Sequence, residues 1–215
     1  MSPATRPNAT ITVLAGVNGS GKSSILGELL VQHGGTYFNP DAFTRQLMKL
    51  DPLLPLEVAN GKAWNYGKVK LVEAISSPVD YAFETTLGAK TIASLLEVAA
   101  GDGLSVRMLY CGLESAELNV RRVAARVSRG GHDIPIEKIL QRWESSRANL
   151  IKLLHLLNEL KVYDNSIEAT EANKFAPSPK LLVHMKKGKI ISLAAKIPEW
   201  AKGIVTKAIL THEQC

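Results

Sequence analysis

The 215-residue chain has only two cysteines, Cys111 and Cys215. Two thiols can build neither a disulfide framework nor a zinc site unaided, so the expected setting is a reducing one, the cytoplasm. Long apolar runs are also missing. Nothing approaches the roughly 18 to 20 consecutive apolar residues of a membrane-spanning helix. Met1 to Thr10 is short and polar, without the apolar stretch of a secretory leader, so export is not expected. No repeat with a period of 20 to 50 residues is visible. Sixteen glycines and ten prolines are ordinary usage, which excludes collagen-like and low-complexity chains. With 46% hydrophobic and 21% charged residues, the chain can bury one core, and a single domain over 1–215 is expected.

The net charge of +6 is unevenly spread. Residues 173–207 hold eight lysines against the single Glu199, a surplus of seven, which leaves the remaining chain at −1. Lysines alternating with apolar residues read as the solvated face of a strand or helix, and polyanion binding is the lesser alternative for this basic extension, about 173–215.

Apolar patterning alternates short strands with helices. Ile11, Val13 and Leu14 predict a first strand, followed by a Gly-rich turn and a helix over Ser23 to Val31. A second strand is expected at Thr36 to Phe38, a helix from Asp41 to Leu50 and another from Leu56 to Ser76. A third strand over Tyr81 to Phe83 precedes a helix from Lys90 to Ala100. Val106, Met108 and Tyr110 mark a fourth buried strand, with Cys111 as a small core residue. Glu117 to Arg129 reads as a helix, broken by Gly130 and Gly131, and Pro135 opens the next. Val162 and Tyr163 begin a fifth strand. Leu181 to Leu193 reads as a hairpin around Lys187 and Gly188, and Pro198 to Leu210 as a last helix carrying Trp200 as an anchor. Strands spaced by helices imply right-handed βαβ units. The expected fold is a three-layer α/β P-loop NTPase with a five-stranded parallel sheet, a small helical lid and a C-terminal β-hairpin plus helix.

Gly16-Val17-Asn18-Gly19-Ser20-Gly21-Lys22-Ser23 fits G-x-x-x-x-G-K-[ST] between a strand and a helix. Triphosphate oxygens must be met without bulky side chains, so glycines let the backbone curl and aim N–H groups inward. The helix N-terminus adds partial positive charge. Gly16, Asn18, Gly19, Ser20, Gly21, Lys22, Ser23 and Ser24 are therefore the expected ATP-binding residues. Lys22 bridges the β and γ phosphates, and the Ser23 hydroxyl ligates Mg²⁺. Neither the N-K-x-D of a GTPase nor the L-S-G-G-Q of an ABC subunit is present, and the chain is small for a helicase or an AAA ring module. A kinase of a small acceptor remains.

Such a kinase needs a carboxylate facing the acceptor hydroxyl. Residues just past parallel strand ends converge on one crevice. Asp41, in Asn39-Pro40-Asp41, is the expected general base, although an Asp after Pro40 could instead cap a helix. Glu84 and Thr86, in Phe83-Glu84-Thr85-Thr86, are expected to orient the substrate. Arg121, Arg122, Arg126 and Arg129 crowd one helix, and Arg142 follows on the next. The segment from about 118 to 147 thus reads as a lid that brings Arg122, Arg126 and Arg142 onto the phosphates, with Gly130-Gly131 as hinge and His132 fixing its geometry.

In order and spacing, the phosphate loop, Asn39-Pro40-Asp41, Phe83-Glu84-Thr85-Thr86 and Arg129-Gly130-Gly131-His132-Asp133-Ile134-Pro135 resemble the zeta-toxin family of P-loop kinases over about residues 9 to 170. The chain is similar to the compact bacterial branch described as predicted ATPases. The resemblance implies ATP-dependent phosphorylation of a hydroxyl on UDP-N-acetylglucosamine or a related sugar nucleotide, with an antitoxin protein as a possible partner. It places the base on Asp41, sugar contacts on Glu84 and Thr86, phosphate contacts on Arg122, Arg126 and Arg142, and a further substrate-side cation on Arg45. Two other readings stay open: a polynucleotide or RNA kinase tracking its substrate with the basic segment, and a nucleotide-dependent switch or toxin acting through protein binding.

Overall fold

Ile11, Val13, Leu14 and Ala15 are all fully buried, so the first strand is covered on both faces, as a central parallel strand must be. The computed structural model describes residues 9–128, 133–168 and 178–214. Strand β1 (Thr10–Ala15) is flanked by β2 (Tyr81–Thr85) and β3 (Ser105–Gly112), both parallel to it, and β4 (Glu159–Asp164) is parallel to β3. Beyond β4 the sheet turns antiparallel. β5 (Lys180–Lys186) pairs with β4, and β6 (Lys189–Leu193) closes the edge. The order is β2-β1-β3-β4-β5-β6, a six-stranded mixed sheet rather than the expected five parallel strands.

The difference has two causes. The expected second strand at Thr36 to Phe38 shrinks to one bridge between Phe38 and Phe83, with the Phe38 N–H donating to the Ala82 carbonyl at 2.8 Å and the Glu84 N–H to the Phe38 carbonyl at 2.9 Å. Asn39 and Pro40 convert the chain to helix immediately afterwards, which leaves no length for a ladder. The hairpin, foreseen as a separate extension, instead covers the open edge of β4 and buries Leu182, Val183 and Met185 there. Its two-residue turn has φ of 49° at Lys187 and 76° at Gly188, the pair of positive values that a tight hairpin requires.

Helices cover both faces. Lys22–Gly27 winds as a π-helical turn into α1 (Glu28–Gln32). Then follow α2 (Pro40–Leu50), α3 (Leu56–Ser76), α4 (Lys90–Gly101), α5 (Ala116–Val127), α6 (Ile136–Leu153) and α7 (Lys202–Glu213). Leu150 and Leu153 at the end of α6, and Leu154 and Leu157 just beyond it, are all buried and face the core as one apolar stripe. Trp200 is buried against Tyr110, and a Cβ on Gly112 would lie 2.2 Å from its ring, so it is the anchor the sequence suggested. Lys180, Lys186, Lys187, Lys189, Lys196 and Lys202 are exposed on the hairpin and its approach to α7, a solvated basic face. Lys174 lies outside the described residues. Among the described residues, no helix is long and apolar enough to cross a membrane.

Candidate active site at the strand ends

The turn leaving β1 is built on backbone shapes that only glycine adopts freely. Gly16, Gly19 and Gly21 have φ of 138°, 76° and 92°. At Gly16 there is no room either: a Cβ would stand 2.1 Å from the Cys111 carbonyl oxygen at the end of β3. The loop is moored from beneath by Cys111 Sγ and Asn165 Nδ2, which both donate to the Ser20 carbonyl at 2.9 Å. Burial pushes the Cys111 thiol up to about 12, so it is a protonated packing group, as expected.

Lys22 is buried, and its ammonium donates to the Val17 carbonyl at 3.0 Å and faces Glu84 Oε1 at 3.8 Å. The other oxygen of Glu84 accepts from Ser23 Oγ at 2.7 Å and from Asn39 Nδ2 at 3.1 Å. Glu84 is itself 7% exposed. Strand β2 runs directly beside β1, so its C-terminal carboxylate lands against the loop that leaves β1. Charge pairing and hydrogen bonding together satisfy an anion that burial alone would penalise.

Asp41 stands one residue into α2. The cap of that helix is Asn39, whose Oδ1 accepts from the Ala42 N–H at 3.0 Å, so the capping role open to Asp41 is taken by its neighbour. The Asp41 carboxylate instead faces Arg126 at 4.0 Å. Thr86 lies beyond β2, before a turn in which Leu87 is held at φ 54° while Asn149 Nδ2 donates to the Leu87 carbonyl at 2.8 Å. A buried leucine in the left-handed region costs roughly 1–2 kcal/mol, so the turn is imposed by its surroundings.

The arginines take separate stations. Arg126 faces Asp41, and Arg142 donates to Asn18 Oδ1 at 3.0 Å. Arg122 reaches Glu168 at 3.4 Å and the Ser166 and Ile167 carbonyls at 3.5 and 3.4 Å. Asn119 Nδ2 holds the Asn18 carbonyl, so α5 and α6 both grip the phosphate loop through one residue. Arg45 is exposed and lines neither cleft described below. Arg129, Gly130, Gly131 and His132 lie outside the described residues.

Two clefts open here, of about 1090 Å³ and 1100 Å³. The first runs past Gly19, Gly21, Ser23 and Ser24 to Arg122, Arg126 and Asn165. The second lies between α3 and α6 and includes Thr86 and Arg142. Asn18, Lys22, Asp41 and Glu84 line both, so the clefts meet at these side chains. Asn39, Asn119 and Asn165 were missed by the motif reading. Of these, only Asn39 carried a local signal, as an Asn before a helix-opening proline.

Comparison with known proteins bears on the fold that carries this site. A family model described as "AAA domain", AAA_33, matches residues 11–151. A protein of Haemophilus influenzae (strain ATCC 51907 / DSM 11121 / KW20 / Rd), described only as uncharacterized, is 28% identical over 134 residues, 60% of this chain and 88% of that one. Among solved structures, the AvrRxo1-ORF1:-ORF2 complex aligns at TM-score 0.61 and 15% identity, over 95% of this chain and 71% of that chain. The same complex with ATP aligns at 0.58 and 15% identity, over 97% and 65%, so this chain spans just under two thirds of that one. The PezAT chromosomal toxin-antitoxin system of Streptococcus pneumoniae aligns at 0.58 and 13% identity, over 99% and 88%. At such identities these likenesses speak for the fold, a P-loop kinase-like α/β domain. Size had argued against an AAA ring module; what carries the AAA name here is the nucleotide-loop domain itself, and on a match covering more than half of its length the chain belongs to the AAA_33 family.

Proposed function

We propose that the chain is an ATP-dependent phosphotransferase that moves the γ-phosphoryl group of ATP to a hydroxyl of a small molecule. The observation that carries this reading is the junction of two clefts at Lys22, Asp41, Glu84 and Asn18. A nucleotide seated on the loop in the first cleft would present its terminal phosphate where a guest in the second could meet it. A hydrolase needs no second cleft of equal size.

Each side chain then has a task set by its place. Backbone N–H groups of the loop and Lys22 take the charge of the β and γ phosphates. Asp41 accepts the acceptor's proton as its oxygen attacks in line. Arg126, already beside Asp41, and Arg142, tethered to Asn18, stand where charge develops on the transferred group. Thr86 faces the acceptor. Arg122, by its contacts with Glu168 and its place in the first cleft, serves the nucleotide side.

Glu84, which lines the acceptor-side cleft as well, takes a second part beside the substrate contact the motif suggested. Its carboxylate shares the Ser23 hydroxyl next to Lys22. Among the described residues, no group of three or more His, Cys, Asp or Glu side chains could hold a metal alone. The donors present are hard oxygens and few, which fits Mg²⁺, an ion that keeps several waters and completes its shell with phosphate. Ser23 would hold it with Glu84 behind, and when bound it would neutralise charge between the β and γ phosphates.

By the zeta-toxin resemblance, the acceptor is UDP-N-acetylglucosamine or a related sugar nucleotide, and the solved complexes of similar fold suggest that this chain too has a protein partner. Incubation with γ-labelled ATP, Mg²⁺ and a panel of UDP-sugars, nucleosides and RNA tests the reading. Labelling of one acceptor is expected, reduced about 10²- to 10⁴-fold in Asp41→Asn, with ATP binding retained. Equal phosphate release by both proteins with no labelled acceptor would sink it.

A further inference from the structure

Helix α2 carries the proposed base in its first turn, and little of it is bedded in the body of the fold. Of its described residues only Thr44 is buried, and the Thr44 hydroxyl donates to Asn60 Oδ1 of α3 at 3.1 Å. Phe43 stacks on Tyr66 of α3, with ring centroids 4.7 Å apart. Most of α2 therefore rides on α3, and its place relative to the phosphate loop is decided where the chain leaves the sheet.

At that point Asn39 uses both ends of its amide. Its Oδ1 caps α2 through the Ala42 N–H at 3.0 Å, and its Nδ2 donates to Glu84 Oε2 at 3.1 Å. The same Glu84 oxygen accepts from Ser23 Oγ at 2.7 Å, while Oε1 faces Lys22. Backbone hydrogen bonds at Phe38 tie the chain to β2; the Asn39 amide carries that tie on to Glu84, and so to the loop. Arg126 meets the Asp41 carboxylate itself at 4.0 Å, whereas Asn39 holds the helix that bears it.

Capping alone does not call for asparagine. Ser and Asp cap a helix about as well, and an Asp is also favoured by the helix dipole. Neither meets Glu84 as asparagine does. An aspartate would set a second carboxylate against it, and a serine oxygen would sit where the Asn39 Cγ does, one bond short of Nδ2. Asn39 lines neither cleft, so its influence on a substrate must pass through other side chains.

We infer, resting on the phosphotransferase reading above, that Asn39 is a positioning residue: acting through Glu84, it holds the Asp41 base at a set distance from a nucleotide on the phosphate loop. Without this tie, α2 follows α3 and the base drifts from the γ-phosphate. A misplacement of about 1 Å lowers the rate by up to about 10²-fold.

Asn39→Ser and Asn39→Asp keep the cap and remove the donor. They are assayed with γ-labelled ATP and UDP-N-acetylglucosamine, or whichever member of the panel above is labelled. Both should lose about 10- to 10²-fold in kcat, with KM for ATP and for the acceptor within about threefold. In a Glu84→Ala background, Asn39→Ser should lower kcat by less than about twofold, because the link is already cut. Hydrogen exchange gives a readout without turnover: residues 40–50 should exchange faster in Asn39→Ser than in the wild type, with residues 90–101 of α4 unchanged. Wild-type kcat in Asn39→Ser and Asn39→Asp would reduce Asn39 to a cap and overturn the inference while leaving the kinase standing. Losses that multiply in the double variant would overturn the route through Glu84. If the wild type labels no acceptor, the phosphotransferase reading falls and exchange over 40–50 decides alone: faster exchange upholds the tie, and unchanged exchange overturns it too.

Discussion

Cys111 and Tyr110 are adjacent, buried and next to the phosphate loop, and both resist ionisation in the folded chain. Burial pushes each up to about 12, from ordinary values of 9.0 for the thiol and 10.0 for the phenol. Below pH 9, folded and unfolded chains both keep these protons, so the pair adds no pH dependence. Above it, the unfolded chain releases protons that the folded chain retains, and stability falls as pH rises towards 12. Urea titrations at pH 8, 9, 10 and 11 should give a declining free energy of unfolding, and Cys111→Ala should flatten the decline. An unchanged slope in that variant would mean that the thiol is not the source.

Helix α5 shows how one spacing yields two roles. Arg122 and Arg126 are a single turn apart on α5, yet one clasps Glu168 and the other faces Asp41. Removal of Arg126 should therefore strike chemistry: kcat should drop by about 10²- to 10³-fold in Arg126→Ala with little change in ATP affinity. Arg122→Ala should act mainly on the KM for ATP. Steady-state kinetics of the two variants separates these outcomes, and a shared defect in ATP affinity alone would remove Arg126 from the transition state. On the opposite side, α3 had no motif. Its lining residues Glu57, Asn60, Trp64 and Lys68 are separated in the sequence, and only the fold turns the face they share towards α6.

At the scale of the molecule, the nucleotide is expected to hold the parts together. The loop, β2, α5 and α6 meet around Asn18, Lys22 and Glu84, and ATP would add ties across all of them. At one hundred times its dissociation constant, a ligand specific for the folded state adds about 2.7 kcal/mol, which for a chain of this size raises Tm by roughly 5–10 °C. Differential scanning fluorimetry with ATP and Mg²⁺ should show that shift in the wild type and lose it in Lys22→Ala. An equal shift in both would place the nucleotide elsewhere.

The order of strands and helices and the phosphate loop were legible in the residues, because apolar period and glycine spacing act locally. Asp41 was legible as an acid after a proline, but its freedom from capping depended on Asn39. Both strands of the hairpin were legible, but the reduction of Thr36 to Phe38 to one bridge and the attachment of the hairpin to β4 were not, since an open strand edge is covered by whatever long-range packing brings to it. The same holds for the partners of Glu84. A strand-end carboxylate can turn to a substrate or to the loop beside it, and the parallel pairing of β2 with β1 brought this one against the loop while leaving it on the lining of the second cleft. Local pattern determined the parts; distance between parts far apart in the chain determined which of them meet, and the trough between α3 and α6 exists only at that second level.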